Sequence, residues 1–369
     1  MSDKLGFGCM RFPATGFGER NVDLEQVKKM FDVFMQAGYN YYDTAYMYHS
    51  GNSERIVKAA LVDRYPRESF TITDKLPMMM LTNPKQMEVV FEEQLQKVGV
   101  EYFDYYWLHA LNTGEYNKVQ KWDAFGFINQ KKAEGKIKHI GFSFHDTAEV
   151  LEKILIEHPE VEFVQLQINY LDWEDPNVQS RKCYEVATKY NKKVIVMEPV
   201  KGGKLAELPQ SCIDILNKID EKATPATWAL RFVASLPNVY KVLSGMSNLE
   251  QVVDNTTNMI NFKQLDERSL NSLATVAKIL KGRKQIPCTA CRYCQDGCQK
   301  KVAIPEYFRL YNKKEDFDKE ELIKKYNEIV LSGRGKASEC IKCGACERVC
   351  PQHIQIRNNL DEIVKFFEK

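Results

Sequence analysis

The chain has 369 residues, 44% of them hydrophobic and 28% charged, the balance of a folded globular protein rather than a disordered one. Lysine and arginine total 52 against 50 for aspartate and glutamate, a net charge of +2, so no basic surplus suggests a nucleic-acid binder. No apolar run approaches the roughly 18–20 residues of a membrane span, and the opening MSDKLGFGCMRFP lacks the apolar core of a signal peptide; the expected setting is cytoplasmic, with no membrane and no nucleic acid as partner.

From the start of the chain to about residue 280, two kinds of segment alternate. Short apolar or aromatic runs at 4–9, 39–43, 70–75, 103–108, 137–142, 162–167, 193–198 and 239–243 read as buried strands. Stretches with helical spacing lie between them, among them Leu24–Ala37, Lys85–Val98, Val119–Glu134 and Val178–Tyr190. Eight strand-then-helix rounds in about 250 residues predict an α/β fold with parallel strands and right-handed crossovers, closed into a (β/α)8 TIM barrel over residues 1–280. An open doubly wound sheet would place a GxGxxG turn after its first strand. Here that turn reads Gly6-Phe7-Gly8-Cys9-Met10-Arg11, without the third glycine.

Barrels of this kind carry their chemistry at the C-terminal ends of the strands. Those ends deliver Asp43, Lys75, His109, Ser143, Gln167 and Glu198, each from a different strand. Tyr48 follows Asp43 by five residues. A phenol has an ordinary pKa of about 10, and a neighbouring ammonium lowers it. Lys75 can supply that charge, Asp43 can hold Lys75, and His109 can orient a carbonyl oxygen; together they suit protonation of a carbonyl as hydride arrives.

At about residue 281 the composition changes. Eight of the eleven cysteines fall in Cys288-x2-Cys291-x2-Cys294-x3-Cys298 and Cys340-x2-Cys343-x2-Cys346-x3-Cys350-Pro351. In a reducing compartment such clusters read as metal ligands rather than disulfides. Zinc favours two CxxC pairs across a longer loop, whereas this spacing wraps three thiolates around one [4Fe–4S] cubane and sends the fourth to the other cluster. The expected sets are Cys288, Cys291, Cys294 with Cys350, and Cys340, Cys343, Cys346 with Cys298. Gln299 stands where the second motif has its proline. The insert 299–339 looks helical, so residues 281–369 are expected to form a small, mainly α-helical dicluster ferredoxin-type domain. With few large apolar side chains, that domain is expected to lack a firm core of its own and to need metal as its staple.

The series Asp43-Thr44-Ala45, Tyr48, Lys75 in Thr73-Asp74-Lys75-Leu76-Pro77, and His109 closing Tyr105-Tyr106-Trp107-Leu108 resembles the aldo-keto reductase tetrad. The order of elements from about 4 to 262 fits that family. With the cysteine motifs, the whole chain resembles the aldo-keto reductases that carry a C-terminal ferredoxin-type domain. The resemblance implies Tyr48 as general acid, tuned by Lys75 and Asp43, with His109 orienting the substrate. It implies Ser143 and Gln167 at the nicotinamide, although Phe144 stands where the family has asparagine. Gly8, Cys9 and Met10 match the turn near the cofactor after the first strand, and Glu198 lies at the same mouth. Gly245, Ser247, Gln251 and Asn255 resemble the phosphate and adenine loop, where the start of a helix suits a phosphate. Gly245 and Gln251 occupy the places of the usual cations for a 2′-phosphate, and Lys201 and Lys204 are candidate replacements.

The resemblance therefore implies NADP or NAD, a small-molecule carbonyl or alcohol substrate, and a ferredoxin or another redox protein as electron partner. Hydride carries two electrons and an iron–sulfur cluster moves one, and flavin is the usual converter. A flavin-binding barrel and a non-catalytic nucleotide-binding electron-transfer subunit are the alternatives to a carbonyl oxidoreductase.

Overall fold

The computed structural model describes residues 3–15, 21–260, 262–283 and 285–369, with the backbone alone at residue 296. The chain divides into two compact units, Met1–Ala277 and Lys278–Lys369, and the division falls within the helix Glu267–Gly282.

The first unit is a closed parallel barrel. Its strands are β1 (Leu5–Gly8), β2 (Tyr41–Asp43), β3 (Thr71–Leu76), β4 (Phe103–Leu111), β5 (Ile137–Phe144), β6 (Phe163–Gln167), β7 (Lys193–Met197) and β8 (Val239–Ser244), hydrogen-bonded in chain order with β8 closing on β1. Alternate residues along each strand face inward. Tyr41, Tyr105, Trp107, Phe163, Ile195 and Leu243 fill the interior as a packed core rather than a pore. Gly141 of β5 makes room for this packing: a Cβ there would lie 2.6 Å from the Trp107 ring and 2.4 Å from the Phe163 carbonyl oxygen.

The helices between strands bury one face each. Leu24–Gln36 starts at Asp23, whose carboxylate accepts from Gln26 N at 3.0 Å, and buries Val27, Met30, Phe31 and Phe34. Lys85–Val98 stops at Gly99, which turns left-handed at φ +78°. The single helix expected over Val119–Glu134 is in fact two, Thr113–Trp122 and Ala124–Ala133. Asp123 divides them: its backbone is left-handed at φ +51°, and its carboxylate accepts from Gly126 N at 3.2 Å to start the second helix.

The second unit is helical, with Ile304–Asn312, Lys319–Leu331 and Ile356–Phe367 as its main elements. Contrary to expectation it has a substantial core. Tyr307, Phe308, Leu322, Tyr326, Leu360, Ile363 and Phe367 are buried together, and the Tyr326 ring stacks on Phe367 at 4.9 Å and meets Tyr307 at 4.5 Å. A few aromatic rings drawn from three amphipathic helices converge and supply the apolar area that simple counting undervalues. No helix among the described residues is long and apolar enough to cross a membrane.

Candidate functional site

Lys75, Asp43, Tyr48 and His109 meet at the C-terminal end of the barrel. The Lys75 ammonium is fully buried and donates to Asp43 Oδ1 at 2.5 Å, to the Thr44 carbonyl at 2.7 Å and to Tyr48 Oη at 3.3 Å. All three N–H groups of Nζ are thereby used. Because Tyr48 accepts from Lys75, its own O–H remains to donate elsewhere. His109 sits edge-on to Tyr48, with ring centroids 6.1 Å apart.

Local structure explains the placement. β2 ends at Asp43, and the next residue stays bound to β3 through Thr44 N to Thr73 O at 2.9 Å. Tyr48 then opens a tight turn held by Tyr48 N to Ala45 O at 3.0 Å. His49, Ser50 and Gly51 follow with φ of 53°, 54° and 84°. Three left-handed residues in a row are costly unless pinned from outside. Here His49 Nε2 accepts from Phe12 N at 3.1 Å and its ring stacks on Phe12, while Ser53 Oγ bonds Thr44 Oγ1 at 2.9 Å and the Cys9 carbonyl at 3.1 Å. On β4, the register against β5 shifts between Leu108 and Leu111, and Ala110 turns to φ +54°. Such irregularities re-aim side chains beside active sites.

The electrostatics correct one expectation. Burial pushes the Tyr48 phenol well above its ordinary value, reinforced by the neighbouring Asp43 carboxylate. The phenol is thus not acidified. With burial the largest influence, Tyr48 holds its proton at neutral pH. Burial likewise raises the Asp43 carboxyl, opposed by the Lys75 ammonium. His109 is pushed well below its usual value by burial and then by the charges of Lys75 and His145, so its imidazole is neutral.

The other predicted residues line the mouth in smaller groups. Gly8 abuts β8, where a Cβ would lie 3.4 Å from Gly245 N, and Cys9 N donates to Asp43 O at 2.8 Å; Met10 lies in the turn that follows. Ser143 Oγ accepts from Ala110 N at 2.6 Å. Asn255 Nδ2 donates to Ser244 Oγ at 2.8 Å, and Ser247 N donates to Gln251 Oε1 at 2.7 Å. Gln167 donates to Asp172 Oδ2 at 2.9 Å, and Glu198 pairs with Arg11 at 3.4 Å. The idea that Lys201 offers an open ammonium to a phosphate is corrected: it is buried and bound to both oxygens of Asp172, at 2.5 and 2.6 Å.

Sequence reasoning missed several members of this assembly. Gln165 donates to Asp43 Oδ2 at 3.3 Å; its place two residues before Gln167 on one strand already puts both on the same face. Asn169 and Asp172 lie beyond β6, and Asn169 donates to Asp172 Oδ2 at 2.8 Å and to the Glu198 carbonyl at 3.1 Å. Arg11 lies along Gly245, where a Cβ would come 3.0 Å from its Cδ. Behind Lys75, Gln94 donates to its carbonyl and to Glu54, both at 3.0 Å. No motif marks these residues.

In the second unit the eight motif cysteines line two concavities. Cys288, Cys291, Cys294 and Cys350 line the first, and Cys298, Cys340, Cys343 and Cys346 the second. The backbone repeats as well. Ala290, Arg292 and Lys301 have φ of 52°, 65° and 51°, and the equivalent Lys342, Gly344 and His353 have 55°, 75° and 49°. A four-residue helix follows at the same place in each motif, Tyr293–Asp296 and Ala345–Arg348. Left-handed residues in such turns direct N–H groups toward an anion, and Ala290 N donates to Cys288 Sγ at 3.4 Å. Among the described residues no three His, Cys, Asp or Glu side chains converge on a single metal ion. A cubane spreads four thiolates over four irons, and the two four-cysteine concavities fit that larger group.

Comparison with known proteins decides the family. The aldo/keto reductase family model matches residues 4–278. The chain belongs to the aldo/keto reductase family. A 4Fe-4S dicluster domain model matches residues 287–354, so an aldo/keto reductase domain is followed by a ferredoxin-type domain. Related proteins include an NADH-specific methylglyoxal reductase of Escherichia coli, 24% identical over 69% of this chain and 90% of the relative, and an aldehyde reductase of Saccharomyces cerevisiae, 25% identical over 75% of this chain and 90% of the relative. Among solved aldo-keto reductases, one from Bacillus halodurans superposes with a TM-score of 0.60 at 20% identity, covering 74% of this chain and 92% of its own. One from Klebsiella pneumoniae in complex with NADPH gives 0.60 at 19%, covering 75% and 95%. Both share the barrel fold.

Proposed function

We propose that the barrel interconverts a carbonyl and an alcohol with NADH or NADPH, and that the second unit holds two [4Fe–4S] clusters for electron transfer. The observation that carries the first part is the single ammonium of Lys75 bonded to both Asp43 and Tyr48. It fixes the phenol oxygen while leaving the O–H to donate. The neutral His109 imidazole is placed to hydrogen-bond the substrate oxygen and orient it toward that proton. In reduction, Tyr48 gives its proton to the carbonyl oxygen; in oxidation it takes the proton back. Asp43, braced by Gln165, keeps Lys75 aimed. The nicotinamide, when bound, supplies the hydride; Gly8, Cys9, Met10, Ser143, Gln167, Glu198, Gly245, Ser247, Gln251 and Asn255 are the candidates to hold its nucleotide. The names of the bacterial and yeast relatives point to small aldehydes and ketoaldehydes as the substrate class.

Cys288, Cys291, Cys294 and Cys350 are assigned to one cluster and Cys298, Cys340, Cys343 and Cys346 to the other. When bound, such clusters supply one-electron transfer. Anaerobically purified protein should contain about eight irons, show no flavin bands once iron is removed, and consume NADH or NADPH with a panel of aldehydes. Tyr48→Phe should lower kcat by about 10²–10⁴-fold, the usual contribution of a positioned general acid. Full turnover by that variant would remove Tyr48 from the role.

A further inference from the structure

The two four-cysteine concavities differ in their surroundings. The first is walled by Ile304, Phe308, Ile354 and Ile356, all buried. The second shares Ile304 and is backed by buried Val302 and Leu360, but its outer edge is formed by exposed Lys300, Ile341 and Arg357. Its Cys343 is exposed, whereas Cys294 of the first is only 8% exposed. Ile341 and Val349, each next to a motif cysteine, stand 53% and 46% exposed. Lys300 and Arg357 line the same concavity, Lys342 follows Ile341, Lys301 follows Lys300 and Arg348 donates to the Cys343 carbonyl at 3.5 Å; all five are exposed. Arg348 and Arg357 converge on Gly344, where a Cβ would lie 3.7 and 3.8 Å from their guanidinium groups. Asp361 answers Lys342 at 3.0 Å, Glu347 answers Arg357 at 2.7 Å, and Glu339 is also exposed. Among these described residues the five cations outnumber the three anions.

We infer that this face, centred on Cys343 and Ile341, is the docking site of a small acidic one-electron carrier protein. The inference rests on the cluster reading above. Electron transfer weakens steeply with distance, so the thiolate set nearest solvent is the port. An apolar centre within a charged rim is the make-up of a small transient interface. A basic rim steers an acidic partner and repels a basic one. Each encounter moves one electron between carrier and cluster, one being oxidised as the other is reduced, with no bond made and no proton required.

The test uses the full, iron-loaded chain and an acidic flavodoxin as probe. Binding of oxidised flavodoxin to the oxidised protein is titrated by NMR, so that affinity is read without turnover. Affinity should weaken about tenfold or more between 50 and 300 mM salt. The triple variant Lys300→Glu, Lys342→Glu, Arg348→Glu should weaken it similarly at low salt, and the matching glutamine variant should fall between. Iron content and thermal unfolding verify that the variants are loaded and folded, and reduction by methyl viologen radical should stay within about twofold of wild type. Unchanged flavodoxin affinity in the triple variant would overturn the inference, as would equal binding of a basic cytochrome. A shifted reduction potential with unchanged binding would also overturn it, because the cations would then serve only to offset cluster charge. A folded protein without iron would overturn the cluster reading and this inference together.

Discussion

Lys75 shows how far one side chain can organise a site. Its backbone belongs to β3, its three N–H groups reach Asp43, Thr44 and Tyr48, and Tyr48, the proposed acid, lies in a loop strained at His49 and Ser50. His109 carries a pH signature. Its folded-state pKa lies well below 6.5 because burial and the Lys75 charge disfavour the imidazolium. As pH falls below about 6.5, the unfolded chain takes up a proton that the folded chain refuses. Stability therefore falls with acidification, by up to ~1.4 kcal/mol per pH unit for this one group. Urea unfolding of wild type and His109→Gln between pH 5 and 7.5 should show the wild type losing more stability toward acid; parallel curves would refute the assignment. Lys201 is a second residue-scale case. Both it and Asp172 have side chains 4% exposed. Asp172→Ala leaves a buried ammonium unpaired and should cost about 3–5 kcal/mol, much of it recovered by Asp172→Ala with Lys201→Met. If Lys201 served a phosphate instead, the single variant would leave unfolding nearly unchanged and raise the nucleotide KM.

At the scale of elements, strands obeyed their sequence pattern more closely than helices did. All eight strand segments form, because parallel strands buried on both faces are continuous apolar runs that little else in the chain imitates. The run Val119–Glu134 has helical spacing throughout, yet Asp123 breaks it, since an aspartate can adopt the left-handed backbone and then cap the next helix. Apolar spacing does not encode that choice. Gly141 is also invisible to pattern reading, as its need comes from the Phe163 carbonyl and the Trp107 ring on the two neighbouring strands. Gly141→Ala should destabilise the barrel by about 1–3 kcal/mol through overpacking. Substituting Trp107 with a smaller side chain in the same protein should recover part of that loss, as a double-mutant cycle by urea unfolding would show; additive losses would mean the two residues do not collide.

At the scale of the whole molecule, two units with separate cores carry two separate candidate sites. The cysteine motifs interlock, because each concavity takes three cysteines from one motif and the fourth from the other. Cys350→Ser should therefore disturb the cluster proposed for Cys288, Cys291 and Cys294, fifty residues and more upstream, and spare its own motif's neighbours. EPR of the reduced variant, compared with Cys298→Ser, reads this directly. Loss of the same signal in both variants would argue against crossed sets.

Local order sufficed for the strand-and-helix alternation, the cysteine spacing and the residues at the strand ends, because hydrophobic period and motif spacing are properties of short stretches. The meeting of Asp43, Tyr48, Lys75 and His109 and the grouping of the eight cysteines were legible for that reason. Tertiary structure alone decided the state of the phenol, the capture of Lys201 by Asp172 and the bracing of Asp43 by Gln165. It also decided the core of the second unit and the exposure of Cys343. Each of these depends on which distant groups share a space and how much water is excluded from it, and burial and charge act through that space rather than along the chain.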